Sequence, residues 1–326
     1  MTIGLTYDLR SDYLKEGYSE EETAEFDRES TIEAIEQTLK DLGYQTDRIG
    51  HVRHLIERLL KGDRWDMVFN ICEGMYGIGR EAQVPALLDV FNIPYTFSDT
   101  LVLSLTLHKG MTKRIVRDYG IPTPDFAIIE RIEDCSSVNL TYPLFVKPNS
   151  EGTGKGISAL SKVATPEELT GICQDLLSKY PSGLLVEEYL PGREFTVGVL
   201  GSGPEGYPAG IMEILYLKAD TNNIYSYHSK SNYHDRIEYK VPEKEIADKC
   251  IDLALKTWRV LGCRDGGRID IRVDRNGIPN FIEVNPLAGL DIIHSDLPIL
   301  AYKHGYDFQR LIHEIMLSAR KRYGLQ

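Results

Sequence analysis

Apolar and polar positions change their spacing repeatedly along the first hundred residues. The segment TIGLTYD (2–8) is a short apolar run typical of a strand, and STIEAIEQTLKDLG (30–43) has the apolar face of a helix, with Ser30 and Glu33 as a predicted capping box. The alternation continues through a helix at 51–62, a buried strand at 65–71, a helix at 80–92 and a strand at 93–97. This order predicts a Rossmann-like parallel α/β unit whose functional loops lie at the carboxyl ends of its strands.

From about residue 101 the pattern indicates an antiparallel α+β region. Its predicted elements are a helix at 108–120, a hairpin around NSEGTGKGIS (149–158), a helix from Thr165, strands at 183–190, 193–201 and 210–217, a helix at about 242–261 and a hairpin at 266–286. We therefore expect a boundary between two regions near residue 100.

The composition narrows the class of protein. Of 326 residues, 42% are hydrophobic and 26% charged, which is ordinary for a globular chain. The net charge of -12 argues against a nucleic-acid partner, because no long basic run is present to neutralise phosphates. No stretch approaches the roughly 18 apolar residues of a membrane span, and we expect a cytoplasmic protein without a membrane partner. The five scattered cysteines are expected to be reduced thiols.

The stretch NSEGTGKGIS surrounds one lysine with small residues, as phosphate-binding loops do. A Walker loop needs a glycine six positions before the lysine and Ser or Thr after it, where this chain has Asn149 and Gly156. A Rossmann fingerprint opens a helix, whereas this stretch leads into the strand-like run ISALSKV. What remains is a glycine loop that joins two strands of a hairpin.

The hairpin at 266–286 carries the most informative set of polar residues. Asn276-Gly277 predicts a two-residue type I′ turn, which pairs Asp274 with Pro279, Arg272 with Phe281, Asp270 with Glu283 and Arg268 with Asn285. Two carboxylates that face each other are destabilising unless a cation lies between them, and oxygen ligands of this kind suit Mg²⁺. The alternative is an exposed strand face that the two arginines neutralise.

Several motifs together resemble one family in its own order: EGMYGIGREAQVPALLDVFNIPYTFSD, HKGMTKRIVRDYGIPTPDF, YPLFVKPNSEGTGKGIS, LLVEEYLPGREFTVGV, GGRIDIRVD and FIEVNPLAGL. They resemble the ATP-grasp superfamily, and within it the D-alanine:D-alanine ligases. The likeness begins near residue 68 and implies an ATP-grasp fold preceded by the parallel α/β unit. It implies three units, at residues 1–100, 101–186 and 187–326. The glycine loop then corresponds to the loop that covers the phosphates of ATP.

The resemblance also implies roles for individual residues. For ATP it implies contacts from the lysines Lys109 and Lys147, from the loop residues Glu151, Gly152, Thr153 and Gly154, from the adenine hinge Glu187, Glu188, Tyr189 and Leu190, from the ribose acid Glu194, and from Phe281. For Mg²⁺, with Mn²⁺ as an alternative ion, it implies the ligands Asp270, Glu283 and Asn285. For the reaction it implies the lid lysine Lys230, the oxyanion-stabilising Arg268, the backbone near Gly289, and Ser295 on the second substrate's carboxylate.

The implied reaction is the ATP-dependent joining of a carboxylate and an amine. ATP would phosphorylate the carboxylate of one small amino acid or similar acid, and an amine would displace phosphate from the acylphosphate, in an enzyme that is a homodimer in this family. One alternative is a nucleotide-binding regulatory protein that has lost turnover. A dinucleotide-dependent oxidoreductase ranks last, because no G-x-G-x-x-G follows the first strand.

The chain departs from the family's pattern where the first substrate is expected. The segment DLRSDYLKEGYSEEETAEFD (8–27) replaces a short glycine-rich turn with an acid for the substrate ammonium, and Asp8, Glu25 and Asp27 are the candidates to replace that acid. Glu73 stands where the family has histidine, and we expect it to contact substrate. These departures leave open whether the product is D-alanyl-D-alanine or that of a related ligase.

Overall fold

A three-stranded parallel sheet organises the first part of the computed structural model, which describes residues 1–217 and 237–325. Its strands are Thr2–Tyr7 (β1), Gln45–Gly50 (β2) and Met67–Ile71 (β3), in the order β2-β1-β3. The helices around it are Arg10–Lys15 (α1), Glu29–Asp41 (α2), Val52–Leu60 (α3) and Gln83–Val90 (α4). The predicted parallel α/β unit is confirmed.

Two local predictions in this unit are wrong, and one strand was missed. The helix α2 begins one residue before Ser30, with Arg28 at its N-cap, so that no side chain caps it and the predicted capping box is absent there. The segment 93–97 makes only an isolated bridge between Tyr95 and Val68. The strand β2 was not predicted, because its first residues are polar and only its last two are buried.

The second sheet is antiparallel and holds the glycine loop. Its strands are Phe126–Ile129 (β4), Leu144–Pro148 (β5), Lys162–Val163 (β6) and Leu184–Glu188 (β7), in the order β4-β7-β5-β6. The helices of this part are Thr100–Leu107 (α5), Lys109–Asp118 (α6) and Pro166–Lys179 (α7). The loop joins β5 to β6 as predicted, although ISALSKV forms mostly a 3-10 turn at Ala159–Ser161 before the two-residue β6.

The third sheet is also antiparallel and has five described strands. They are Glu194–Leu200 (β8), Tyr207–Tyr216 (β9), Ile237–Lys240 (β10), Gly266–Val273 (β11) and Pro279–Asn285 (β12), in the order β10-β9-β8-β11-β12. The helices are Lys244–Leu261 (α8), Asp296–Lys303 (α9) and Phe308–Arg322 (α10). Within the described ranges, no helix is both long and apolar enough to cross a membrane.

The β11-β12 hairpin has the predicted pairing at its functional end and a different one near its turn. The Asp274 N–H donates to the Ile278 carbonyl at 2.9 Å, which closes a loop one residue longer than the predicted two-residue turn. Consequently Val273 pairs with Pro279, and Arg272 pairs with Asn280 instead of Phe281. A bulge at residue 282 then restores the register, so the predicted Asp270–Glu283 and Arg268–Asn285 pairs are both present.

The first sheet shares its core with the end of the chain. Ile3 and Ile32 belong to the same buried cluster as Ile312 and Ile315 of α10. The fully buried Asp265 carboxylate accepts hydrogen bonds from the Phe97 N–H at 2.8 Å and from the Arg322 Nη2 at 2.6 Å. The division at residues 100 and 186 therefore stays a prediction; the second boundary falls inside β7.

Close packing behind β11 gives a first test. We expect Gly267→Ala to lower the free energy of unfolding by about 1–3 kcal/mol, because overpacking displaces well-packed neighbours. A Cβ at this position would lie 2.5 Å from the Asn285 carbonyl oxygen and 2.8 Å from the Trp258 ring. Gly171→Ala is the control: Gly171 lies in α7 with open space around it, and alanine there should stabilise the helix by about 0.5–1 kcal/mol. Urea titration measures both, and equal effects would contradict the packing argument.

Candidate active site

Two clefts meet beneath the glycine loop. The inter-sheet cleft, of about 110 Å³, lies between the second and third sheets and is lined by β5, the end of β7, β11 and β12. The amino-terminal cleft, of about 320 Å³, lies between the segment 24–31 and the residues after β12. Both clefts are lined by Lys109, Glu151, Gly152 and Glu283, so these four residues mark the junction.

A buried ion-pair chain forms one wall of the inter-sheet cleft. The Glu187 carboxylate on β7 lies 2.7 Å from the Lys147 Nζ on β5 and 2.7 Å from the Lys113 Nζ on α6. Burial lowers the pKa of Lys113 to about 8, although Glu187 opposes that shift. Burial would raise the pKa of Glu187, yet the two lysines hold it below the ordinary value. Sequence reasoning missed Lys113, whose only signal is its position one helical turn after Lys109.

The residues after Glu187 line the same cleft. Glu188, Tyr189 and Leu190 follow it along the wall, and the Glu188 Oε1 accepts a hydrogen bond from the Thr141 N–H at 3.0 Å. The Lys162 Nζ lies 4.2 Å from the centre of the Tyr189 ring. The predicted hinge is thus a continuous segment of the cleft wall.

Glu194 lies across this cleft on β8. Its carboxylate lies 3.3 Å from the Arg272 guanidinium and accepts a hydrogen bond from the Tyr216 hydroxyl at 2.8 Å. Arg272 also donates to the Tyr189 hydroxyl at 3.1 Å, so it connects Glu194 to the predicted hinge. Glu194 is therefore anchored at the wall of the inter-sheet cleft, and its contact with ribose stays a prediction.

Asp270, Glu283, Asn285 and Arg268 share one face of the hairpin. The Arg268 Nη1 donates to the Asp270 Oδ1 at 2.6 Å, and the Asn285 Nδ2 lies 3.3 Å from the Asp270 Oδ2. The Lys109 Nζ lies 3.6 Å from the Glu283 Oε2. Burial raises the pKa of Asp270 to about 6, and Glu283 and Asp296 add to the rise while Arg268 opposes it.

This face fits a divalent cation. The repulsion of Glu283, which contributes to the raised pKa of Asp270, is relieved when a cation binds between the two carboxylates. No group of three or more His, Cys, Asp or Glu residues that could hold a metal exists within the described ranges. Two carboxylates with one amide oxygen leave other coordination positions for water and phosphate, as Mg²⁺ prefers.

One predicted residue is not brought to the clefts, and another cannot be placed. The side chain of Phe281 is fully buried in the core with Trp258 and Phe195, and the bulge turns Ile282 to the inter-sheet cleft in its place. Lys230 lies outside the described residues.

The glycine loop closes over the junction. Glu151 and Gly152 border both clefts, Gly154 borders the inter-sheet cleft and Thr153 borders the amino-terminal cleft. Gly156 has a φ of 70°, and a Cβ there would lie 2.6 Å from the Pro148 ring. Glycine at this position therefore lets the loop fold back onto the end of β5.

The amino-terminal cleft contains the other predicted catalytic residues. Ser295 accepts a hydrogen bond from the Asp291 N–H at 3.0 Å, and a Cβ at Gly289 would lie 2.7 Å from the Ser295 hydroxyl. Glu73 lines the same cleft. Burial, then Glu81 and other nearby acids, raise the pKa of Glu73 well above its ordinary value.

The structure separates the three candidates for the ammonium-binding acid. Asp8 is buried and accepts hydrogen bonds from the Gly74 N–H at 2.9 Å and the Tyr13 hydroxyl at 2.6 Å. Glu25 is committed to ion pairs with Arg80 at 3.2 Å and with a lysine of the loop. Asp27 borders the cleft, where burial, with Asp291 and Asp8, raises its pKa to about 8. Both Glu25 and Asp27 line this cleft, so the contact of Asp27 with the ammonium stays a prediction that rests on the ion pairs of Glu25.

Comparison with known proteins gives consistent matches along the chain. The family model described as D-ala D-ala ligase C-terminus matches residues 115–317. A protein of Actinobacillus pleuropneumoniae serotype 5b (strain L20) named D-alanine--D-alanine ligase is 34% identical over 297 residues, which cover 88% of this chain and 91% of that protein.

Solved structures show the same fold. The chain aligns with a D-alanine--D-alanine ligase from Bacillus anthracis complexed with ATP at a TM-score of 0.76 and 24% identity, covering 99% of each chain. It aligns with the VanG D-Ala:D-Ser ligase from Enterococcus faecalis at a TM-score of 0.74 and 20% identity, covering 98% of this chain and 99% of that one. These alignments extend over nearly the whole chain and confirm the predicted fold.

Proposed function

Since this chain belongs to the D-alanine–D-alanine ligase family, we propose that it is an ATP-dependent ligase that joins two amino acids through an amide bond. The observation that carries the proposal is the junction at which the two clefts share Lys109 and Glu283. A phosphate held in the inter-sheet cleft meets a carboxylate held in the amino-terminal cleft only at this junction. The ATP complex of the similar B. anthracis enzyme supports ATP as the substrate of the inter-sheet cleft.

Within this proposal the inter-sheet cleft binds ATP. Lys109 and Lys147 neutralise phosphate charge, and the hinge at 187–190 borders the base. Glu187 positions the ammonium group of Lys147, because its carboxylate lies 2.7 Å from the Nζ of Lys147 and 2.7 Å from the Nζ of Lys113. Asp270, Glu283 and Asn285 would hold Mg²⁺ or Mn²⁺, which supplies charge neutralisation for phosphoryl transfer when bound.

The amino-terminal cleft then holds the two amino acids. The Arg268 guanidinium donates to Asp270 and lies 3.6 Å from Asp296, and these contacts hold it at the wall of the amino-terminal cleft. There it stabilises the negative charge that develops when an amine attacks the acylphosphate. Ser295 and the backbone near Gly289 orient the second substrate, and the glycine loop excludes water.

The regulatory alternative is not favoured. A protein that had lost turnover would have no reason to keep the lysines, the acid pair and the arginine around the two clefts. All of them line one or both clefts, and the relative from A. pleuropneumoniae is a ligase by name.

Asp27 gives a test of the first substrate's site. We expect Asp27→Asn to raise the KM for the first amino acid roughly 10- to 100-fold, because a charge-assisted bond to its ammonium is lost, and to leave the KM for ATP unchanged. The control is Asp248→Asn, an exposed residue of α8. If Asp27→Asn and the wild type had the same KM for the first amino acid, this role of Asp27 would be contradicted.

The same variant has a pH signature. The pKa of Asp27 is about 8 in the folded chain and near 3.9 when unfolded, so the folded state binds the extra proton. The contribution of the protonated Asp27 carboxyl to the stability of the folded state is fully present below a pH of about 4. It is lost as the pH rises through about 8. Asp27→Asn should therefore raise the Tm at pH 8 and change it little near pH 4.

One screen tests the function itself. Pairs of D- and L-amino acids and small carboxylic acids are incubated with ATP and Mg²⁺, and phosphate release is compared with amide product. We expect at least one pair to give both in equal amounts. The VanG relative is named for a D-Ala:D-Ser product, so D-serine belongs in the screen beside D-alanine. Gel filtration of the same preparation tests the predicted homodimer.

A further inference from the structure

A cluster of ion pairs ties the glycine loop to the amino-terminal unit. We name it the latch: Glu25 and Arg80 from that unit, and Glu151, Gly152 and Lys155 from the loop. The Arg80 Nη2 lies 3.2 Å from the Glu25 Oε2 and 3.3 Å from the Glu151 Oε2. The Lys155 Nζ lies 3.1 Å from the Glu25 Oε2. The pairs Arg80–Glu151 and Lys155–Glu25 therefore join the amino-terminal unit to the loop, and the pair Arg80–Glu25 lies within that unit.

Arg80 is suited to this position by its two-pronged geometry. Its Nη1 donates to the Ser150 carbonyl at 3.0 Å while its Nη2 serves the two carboxylates, so one side chain holds both the backbone and the side chains of the loop. The side chain is only 7% exposed. A lysine has a single ammonium group and cannot reproduce both contacts at once.

Glu25 is fully engaged by the latch. Its Oε1 accepts a hydrogen bond from the Gly152 N–H at 2.7 Å, and its Oε2 accepts from Arg80 and Lys155. A Cβ on Gly152 would lie 2.5 Å from the Glu25 Oε1, so glycine permits this approach. The pKa of Glu25, which burial would raise, is held below its ordinary value by Arg80 and Lys155. Its carboxylate is thus occupied by the loop and not by a substrate ammonium.

We propose that Arg80, with Glu25, is a positioning residue that holds the glycine loop closed over the junction of the two clefts. The proposal rests on the proposed function for its consequence: Glu151 and Gly152 border both clefts, so an unlatched loop admits water to the acylphosphate. Water then takes the place of the amine: it attacks the acyl carbon, the bond to phosphate breaks, and the amino acid and phosphate are released with ADP and without an amide.

Hydrogen exchange tests the latch without any need for activity. Peptides that span 149–158 are followed by mass spectrometry in the full chain, in Arg80→Ala and in Arg80→Lys, with Arg131→Ala as control because that arginine is 78% exposed. We expect exchange in these peptides to rise roughly tenfold or more in Arg80→Ala, to rise less in Arg80→Lys, and to stay unchanged in the control. Unchanged exchange in Arg80→Ala overturns the proposal. If Arg80→Ala does not fold, Glu25→Gln, which keeps the size of the side chain, replaces it with the same expectation.

The ratio of phosphate to amide product supplies the catalytic arm. With the substrate pair found by the screen, the ratio should be one for the wild type and the control and should exceed one for Arg80→Ala, with a lower kcat for amide formation. A ratio of one in a variant whose loop exchanges faster overturns the claim that the latch protects the intermediate. Absence of amide formation in the wild type contradicts the proposed function, while the exchange result still decides the latch.

Discussion

Glu283→Gln is expected to lower Mg²⁺-dependent ADP release by about a hundredfold or more, with the fold retained. The change keeps the size of the side chain but removes one of the two carboxylates that pair across the β11-β12 hairpin. Loss of the negative charge also removes the ion pair with Lys109, whose Nζ lies 3.6 Å from the Glu283 Oε2. Measurement of ADP release against Mg²⁺ concentration should show that added metal restores only part of the rate.

The matched control is Glu205→Gln, whose carboxylate is 61% exposed and pairs with Lys321 at the surface. Its rate and its Mg²⁺ dependence should equal those of the wild type. If Glu283→Gln behaved in the same way, the assignment of the hairpin acids to the metal would be wrong. Thermal unfolding of both variants shows whether the fold is intact.

The second large effect concerns stability. Glu187→Leu should lower the free energy of unfolding by about 3–5 kcal/mol, because it leaves the fully buried Lys113 ammonium without its carboxylate. The double variant Glu187→Leu with Lys113→Met should recover part of this loss, because it removes the unpaired Lys113 while the buried Lys147 still lacks its carboxylate. Urea unfolding measures the free energy of unfolding of both variants, provided that their m-values equal that of the wild type. A single variant within 1 kcal/mol of the wild type would contradict the role of the ion pair.

The sequence predicted the hairpin acids by a route that was partly wrong. The Asn-Gly pattern assigned a turn one residue too short, and the bulge at residue 282 compensated for it. Turn length and bulges depend on packing of the whole sheet, which no local pattern contains. The same bulge explains why Phe281 lies in the core and Ile282 in the cleft.

Long-range ion pairs were beyond prediction for a different reason. Glu25 and Arg80 are separated by 55 positions, and each alone is indistinguishable from a solvated surface charge. Lys113 and Glu187 come together only because α6 packs beneath the second sheet. By contrast, helices and strands with strong periodicity, such as α8 and β8, were predicted from the sequence because local pattern and tertiary packing agree there.

The first sheet and α10 share one core. Asp265 ties the backbone of Phe97 to Arg322 near the end of the chain, and the apolar cluster around Ile3 is completed by Ile312. The two ends of the described chain are therefore interdependent: a substitution that loosens α10 also removes packing from the first sheet, although the two elements are far apart along the sequence.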